Sequence, residues 1–271
     1  MEDCNGLQTP TKVEAPLGTE VNVFESKRYW PNSYASVIGI MLYIASNTRP
    51  DISFVIHQCA RFKHNPKVSH EIAVKRICSY LKGTKDNGLV FNPSKKLVVD
   101  CYSETDFAGI WGHEDLQDPI CTRSRTGFVV TFVNCRLLWM SKLQTEITLC
   151  TLHSDYVAFS YSVRALLSLK SLIKKEIDNL GIDCENLKFV SSSTIYEDSN
   201  GSIVVATSSR MTLSSKYIAV KYQWFRQHVR KTFVIRKIES ENQKANIFIK
   251  GLQGQIFVRI SKLLCSWYAF R

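Results

Sequence analysis

No stretch of this 271-residue chain approaches the roughly 20 consecutive apolar residues that a membrane-crossing helix needs. Its nine cysteines include no C-x-x-C pair, which argues against a zinc framework. An odd, scattered set reads instead as reduced thiols in cytosol or nucleus. There is no nucleophile elbow, and the histidines (57, 64, 70, 113, 153 and 228) form no catalytic or metal-ligating pattern, so Ser/His/Asp hydrolase chemistry is excluded. Internal repeats and low-complexity tracts are missing too. The opening M-E-D-C-N-G is acidic and polar, unlike a secretory leader.

What remains is a chain with 45% hydrophobic and 22% charged residues, enough for one large or two small domains with real cores. The net charge of +11 is unevenly spread: −2 over residues 1–33, +7 over 34–98, −4 over 99–215, +7 over 216–250 and +3 beyond. An acidic centre between basic flanks suits a protein that grips a polyanion around a carboxylate site. Basic helices that are simply solvated explain the charges equally well.

Residues 1–33 read as an irregular lead-in. An apolar run from Tyr34 to Ala45 predicts a buried helix, and Thr48-Arg49-Pro50-Asp51 looks like the start of another, with Ile52, Val55, Ile56 and Cys59 at helical spacing. A third helix is expected over 69–82, its stripe made by Ala73, Val74, Ile77, Cys78 and Leu81, with Gly83 as its stop. Strands are expected over 97–102, 127–133 and 136–141, then a helix over 155–176. A strand (187–192), a turn (197–201), a helical stretch near 216–230, a strand (233–238) and a helix from about Asn242 follow. This order predicts α/β architecture with a mixed sheet.

The first strand, L-V-V-D-C-Y-S-E-T-D, runs into an acidic cluster of Asp100, Glu104 and Asp106. Acids at a rigid strand end can point at a metal ion; a solvated edge strand closing on a polar turn is the plainer reading. The strings Y-S-E-T-D-F-A-G, S-R-T-G-F-V-V and W-M-S-K-L-Q-T follow one another here. Upstream lie Y-A-S-V-I-G-I-M-L-Y-I-A-S-N-T-R-P-D-I-S-F (34–54) and A-V-K-R-I-C-S-Y-L-K-G-T-K-D-N-G-L (73–89). Downstream come Y-E-D-S-N-G (196–201), S-K-Y-I-A-V-K-Y-Q-W-F-R (215–226) and K-A-N-I-F-I-K-G-L (244–252). In this order, over roughly residues 30 to 252, the motifs resemble the Pol polyproteins of copia-type (Pseudoviridae) retrotransposons: the end of the reverse transcriptase region followed by ribonuclease H.

That resemblance implies a thumb- or connection-like helical segment over 34–96 and a ribonuclease H-like domain over 97–252; residues 253–271, beyond it, are expected to be a tail or helix. It also implies Mg²⁺-dependent hydrolysis of the RNA strand of an RNA/DNA hybrid, with carboxylates holding two ions about 4 Å apart. The family's four acidic positions fall on Glu104, Asp155, Asp198 and Asn246. Only Asp198 is unchanged. Glu104 and Asp155, the other two expected metal ligands, keep charge with altered length, and Asn246 brings no charge. Asp106 could substitute only with backbone movement. Asp155 or Ser154 would serve equally as a helix N-cap or first-turn acid, D-S-N-G as an ordinary turn, and Asn246 as a surface residue of a helix. R-T-K-H-I, the family's string, is S-S-K-Y-I here at 214–218, so the expected enzyme is weak or inactive. No Y-x-D-D string occurs, so no polymerase activity is expected. Lys75, Arg76, Lys82, Lys221, Arg226, Arg230 and Lys231 would contact nucleic-acid phosphates. The alternatives are a non-catalytic nucleic-acid-binding module or an unselected transposon remnant, in either case without a membrane partner.

Overall fold

The computed structural model describes residues 6–11, 17, 33–110, 119–181, 193–208, 218, 222 and 224–267. Its centre is a five-stranded mixed sheet in the order β3-β2-β1-β4-β5. The strands are β1 (Val99–Asp106), β2 (Arg125–Phe132), β3 (Cys135–Leu143), β4 (Ser193–Glu197) and β5 (Phe233–Lys237). The first three form an antiparallel meander, and β4 and β5 run parallel to β1. The β2–β3 hairpin closes on Val133 and Asn134, both at positive φ (48° and 67°), the two-residue geometry whose twist suits paired strands. A β-branched residue is costly there. Val133 is held in place on both sides, its N–H donating to Val98 O and its carbonyl accepting from Ser94 N.

Alternation along the strands sends side chains to two cores. Cys101, Phe128, Val130 and Ile195 face α4 (Thr151–Asn179), where Tyr156, Phe159, Val163 and Leu166 are buried; Phe225 completes this side. Tyr102 and Val129 face the other way, towards α1 (Tyr34–Asn47), α2 (Ser53–Ala60), α3 (Val68–Gly83) and α6 (Gly254–Cys265). Ile38, Ile56, Ile77, Phe248, Phe257 and Leu264 therefore share one buried cluster with the sheet. Gly127 permits the close approach of the 3-10 turn Lys244–Phe248: a Cβ there would lie 2.7 Å from Phe248 Cβ and from Ile249 Cγ2.

Several expectations need correction. α1 buries Tyr34, Ile38, Met41 and Ala45 but leaves Ile40 and Tyr43 exposed, so it is a one-sided helix. The helix expected from Asn242 is two 3-10 turns, with α6 beginning only at Gly254. The turn at 197–201 is a strand-to-helix junction leading into α5 (Asn200–Thr207), which periodicity did not reveal. Its N-cap is Ser199, whose hydroxyl accepts from Ser202 N at 3.3 Å. The strand expected over 187–192 lies outside the described residues; β4 begins at Ser193. Of the stretch near 216–230, the described part holds a 3-10 turn at Trp224–His228. No helix among the described residues is long and apolar enough to cross a membrane.

Candidate metal centre

β1 and β4 are parallel neighbours paired from Asp100↔Thr194 to Tyr102↔Tyr196. Two residues further on stand Glu104, within β1, and Asp198, just past the end of β4. Parallel pairing thus brings acids far apart in sequence to the same end of the sheet. Ligand-capable atoms of Glu104, Glu197 and Asp198 all lie within 4.8 Å of one another.

Asp155 approaches from α4, which packs across β1 through a Ser103 Oγ···Ser162 Oγ contact of 2.7 Å. It lies outside the group of three but is close enough to raise the affinity of both Glu104 and Glu197 for protons. The helix starts at Thr151 with Cys150 as its N-cap, so Asp155 is neither cap nor first-turn acid, and that plainer reading fails. Its Oδ2 accepts instead from Ser202 Oγ at the start of α5. Asp198 is oriented by a second serine, Ser240, whose hydroxyl donates to Asp198 Oδ2. Asn246 Nδ2 donates to Ser240 O at 2.9 Å, one hydrogen-bonded step from Asp198. Far from being a surface residue of a helix, Asn246 is buried in a 3-10 turn, and its Oδ1 has no hydrogen-bond partner.

Asp106 is pinned elsewhere. Its carboxylate occupies the space above Gly109, where a Cβ would fall 1.7 Å from Oδ2. Burial raises its affinity for protons, only partly opposed by Lys250 and Arg125. Among the described residues, no cation is a main influence on Glu104, Glu197 or Asp155. Burial, then the neighbouring Asp198, pushes Glu104 up to about 9. Glu197 is raised well above the usual carboxylate range by burial and then by Glu104. Burial raises Asp155 to about 6 against the opposing Ser202 hydrogen bond. Oε2 of Glu104 is buried and receives no hydrogen bond, while Oε1 accepts from Thr105 N at 3.1 Å.

These shifts set a pH dependence. A carboxyl with a raised folded-state value binds more protons folded than unfolded between the two values, so stability falls across that window. For Glu104 the contribution is complete below about 4.5 and lost as pH rises through about 9. For Asp155 the window runs from 3.8 to about 6. In metal-free protein, Glu104→Gln is expected to flatten the decline of Tm between pH 5 and pH 9. A wild-type decline that the substitution leaves unchanged would show that Glu104 is not buried beside other acids.

The expected phosphate contacts do not form one track. Lys75, Arg76 and Lys82 lie on α3, on one side of the sheet, whereas the Trp224–His228 turn that carries Arg226 packs on the other. Arg76 Nη2 donates to Thr9 Oγ1 at 3.1 Å, and Arg226 donates to Ser208 O. Arg230 and Lys231 are exposed just before β5. Lys221 lies outside the described residues. Sequence reasoning missed Glu197, Ser202 and Ser240 as parts of the site. The adjacent acids Glu197-Asp198 at a strand end were the available signal for the first; the serines had none, because their contacts are non-local.

Fold and site define an α/β protein with a carboxylate cluster at the shared end of two parallel strands. The relatives that match over most of its length are Pol polyproteins of transposons. It is 29% identical over 232 residues to the retrovirus-related Pol polyprotein from transposon TNT 1-94 of Nicotiana tabacum, covering 85% of this chain and 16% of that protein. Against the corresponding polyprotein from transposon RE2 of Arabidopsis thaliana it is 26% identical over 233 residues, 86% of this chain and 15% of the relative. An uncharacterized mitochondrial protein of Arabidopsis thaliana is 30% identical over 170 residues, 61% of this chain and 64% of its own length. By sequence the chain resembles the Pol polyproteins of copia-type retrotransposons and spans about one sixth of their length. No family model matches the chain, and no solved structure matches it.

Proposed function

We propose that the sheet and its helices form a ribonuclease H-like domain whose ancestral reaction is Mg²⁺-dependent hydrolysis of the RNA strand of an RNA/DNA hybrid. In this chain that activity is weak or lost. The observation that carries the reading is the convergence of Glu104, Glu197 and Asp198 at the ends of β1 and β4. An antiparallel three-strand meander followed by two parallel strands supports the fold assignment. The donor set fits the ion: hard carboxylate oxygens, no thiolate or imidazole, and two buried oxygens, Glu104 Oε2 and Asn246 Oδ1, that lack protein donors.

Glu104, Glu197 and Asp198 would hold the ion, with Asp155 at its flank. A bound Mg²⁺ supplies charge stabilisation to a phosphodiester under attack by water. The chain's own residues set the cost of binding. Glu104 must give up a proton held at neutral pH. Asp155 is directed into its hydrogen bond with Ser202. Asn246 adds an oxygen without charge. Each departure weakens a site whose geometry tolerates little displacement, since about 1 Å costs on the order of a hundredfold in rate.

Calorimetry with Mg²⁺ at neutral pH, wild type against Asp198→Ala, tests the metal centre. Binding by the wild type and its loss in the variant are expected, with any hybrid cleavage lost alongside. No site-dependent binding would reduce the enzyme reading to ancestry. A second reading, nucleic-acid binding without catalysis, then rests on the net charge of +11 and the exposed Arg230 and Lys231. Affinity for a hybrid that falls steeply with salt would support it, and salt-independent or absent binding would exclude it.

A further inference from the structure

Three backbone carbonyls stand immediately before three of the site's carboxylate residues: Ser103 O before Glu104, Ser154 O before Asp155, and Tyr196 O before Glu197. Each accepts a hydrogen bond from the side-chain amide of a buried glutamine. Gln243, fully buried, donates through Nε2 to Ser103 O at 3.0 Å and to Tyr196 O at 3.3 Å. Gln144, 3% exposed, donates through Nε2 to Ser154 O at 3.0 Å and to Thr126 Oγ1 at 3.0 Å, with Thr105 Oγ1 at 3.5 Å. Carbonyl acceptors accept only, so they settle which amide atom is nitrogen in both residues.

The placement has a physical logic. Paired β1 and β4 residues end at Tyr102↔Tyr196, one step before the strands must leave room for their acids. At that step one amide group bridges Ser103 O and Tyr196 O, holding the two strands at a set spacing. Gln243 is itself fixed, its Oε1 accepting from Ala245 N at 3.3 Å. Gln144 does the corresponding work for α4: it joins the helix backbone at Ser154 to β2 at Thr126, and its own N–H donates to Ser124 O at 2.8 Å. Between them the two glutamines tie together the three elements that carry Glu104, Asp155 and Glu197.

We infer that Gln144 and Gln243 are positioning residues of the carboxylate site, acting through the backbone rather than touching a ligand, an inference that rests on the metal-binding reading above. Groups that orient metal ligands at one remove are worth about 10–100-fold in metal affinity. Full-length wild type, Gln144→Met and Gln243→Met are compared for Mn²⁺ affinity by calorimetry, for Tm, and for backbone amide exchange in metal-free protein. Leu166→Val, on the buried face of α4, is the stability control.

Each glutamine variant is expected to bind Mn²⁺ at least tenfold more weakly, while Leu166→Val binds as wild type. Amides at 103–105 and 197–199 should exchange at least tenfold faster in Gln243→Met, and those at 154–156 in Gln144→Met, ahead of the rest of the sheet. A lower Tm with unchanged Mn²⁺ affinity would make the glutamines structural only and overturn the inference. Wild type that binds no Mn²⁺ would sink the metal reading instead; locally faster exchange would then still support positioning, and unchanged exchange would refute it. Should either methionine variant fail to fold, Gln144→Asn and Gln243→Asn retain the amide on a shorter arm, and the same outcomes apply.

Discussion

Cleavage of an RNA/DNA hybrid is expected to rise about a hundredfold when Glu104→Asp, Asp155→Glu and Asn246→Asp are combined in one chain, a gain on the scale of correcting a displacement of about 1 Å. Glu104→Asp draws back the acid on β1, which at present lies against Asp198 and holds its proton up to about 9. Asp155→Glu gives the α4 acid reach beyond its hydrogen bond with Ser202. Asn246→Asp adds charge at a buried position beside Ser240, at the expense of the bond from Asn246 Nδ2 to Ser240 O. Single reversions should each recover much less than the set, because groups that act as a unit are not additive. The same protein should melt lower than wild type in chelator and recover with Mg²⁺, since it packs more uncompensated charge into one buried place. A triple variant no more active than Asp198→Ala would mean that these three positions do not limit the proposed activity.

The largest loss of stability is expected far from the site. Arg49 donates to Asp51 through Nε at 3.0 Å and Nη2 at 2.8 Å, and Tyr80 OH donates to Asp51 Oδ2 at 2.5 Å. The guanidinium also reaches Thr84 O at 3.1 Å and Thr84 Oγ1 at 2.8 Å, and lies over the Tyr80 ring at 5.3 Å. Side-chain exposure is 7% for Arg49 and 0% for Asp51, so removing one partner strands a charge in the interior. Asp51→Ala should therefore cost about 3–5 kcal/mol, as measured by chemical denaturation. Tyr80→Phe, which removes one hydrogen bond to a charged group, should cost about 1.5–3 kcal/mol. An Asp51→Ala loss below that of Tyr80→Phe would show that the pair is not desolvated in solution. Because this network joins α3 to the turn between α1 and α2, it fixes those three helices as one layer against the sheet.

Much of the architecture was legible in the sequence. The strands expected over 97–102, 127–133, 136–141 and 233–238 fall on β1, β2, β3 and β5 to within a few residues, and the apolar stripe of α3 ends where Gly83 stands. These are local signals, carried by residues two to four apart. The string T-R-P-D was equally visible and was read correctly as a helix start. Its more consequential role, a buried ion pair beneath Tyr80, needed a partner 29 positions away.

The acidic positions divide in the same way. Glu104, Asp155 and Asp198 could be picked out by motif, but their being neighbours could not, since it depends on β1 and β4 lying parallel and side by side. Glu197 joined the cluster, whereas Asp106, two residues past Glu104, lies over Gly109 instead. Asn246 looked like a surface residue because a 3-10 turn and an amphipathic helix share much of their pattern over five residues. Local patterns in the chain sufficed for its α/β class and its inventory of acids. The tertiary structure alone decided which acids meet, which serines and glutamines hold them, and which protons they keep. Burial and Coulomb repulsion act between atoms that are near in space, and nearness between residues about ninety apart is settled only when the strands pair.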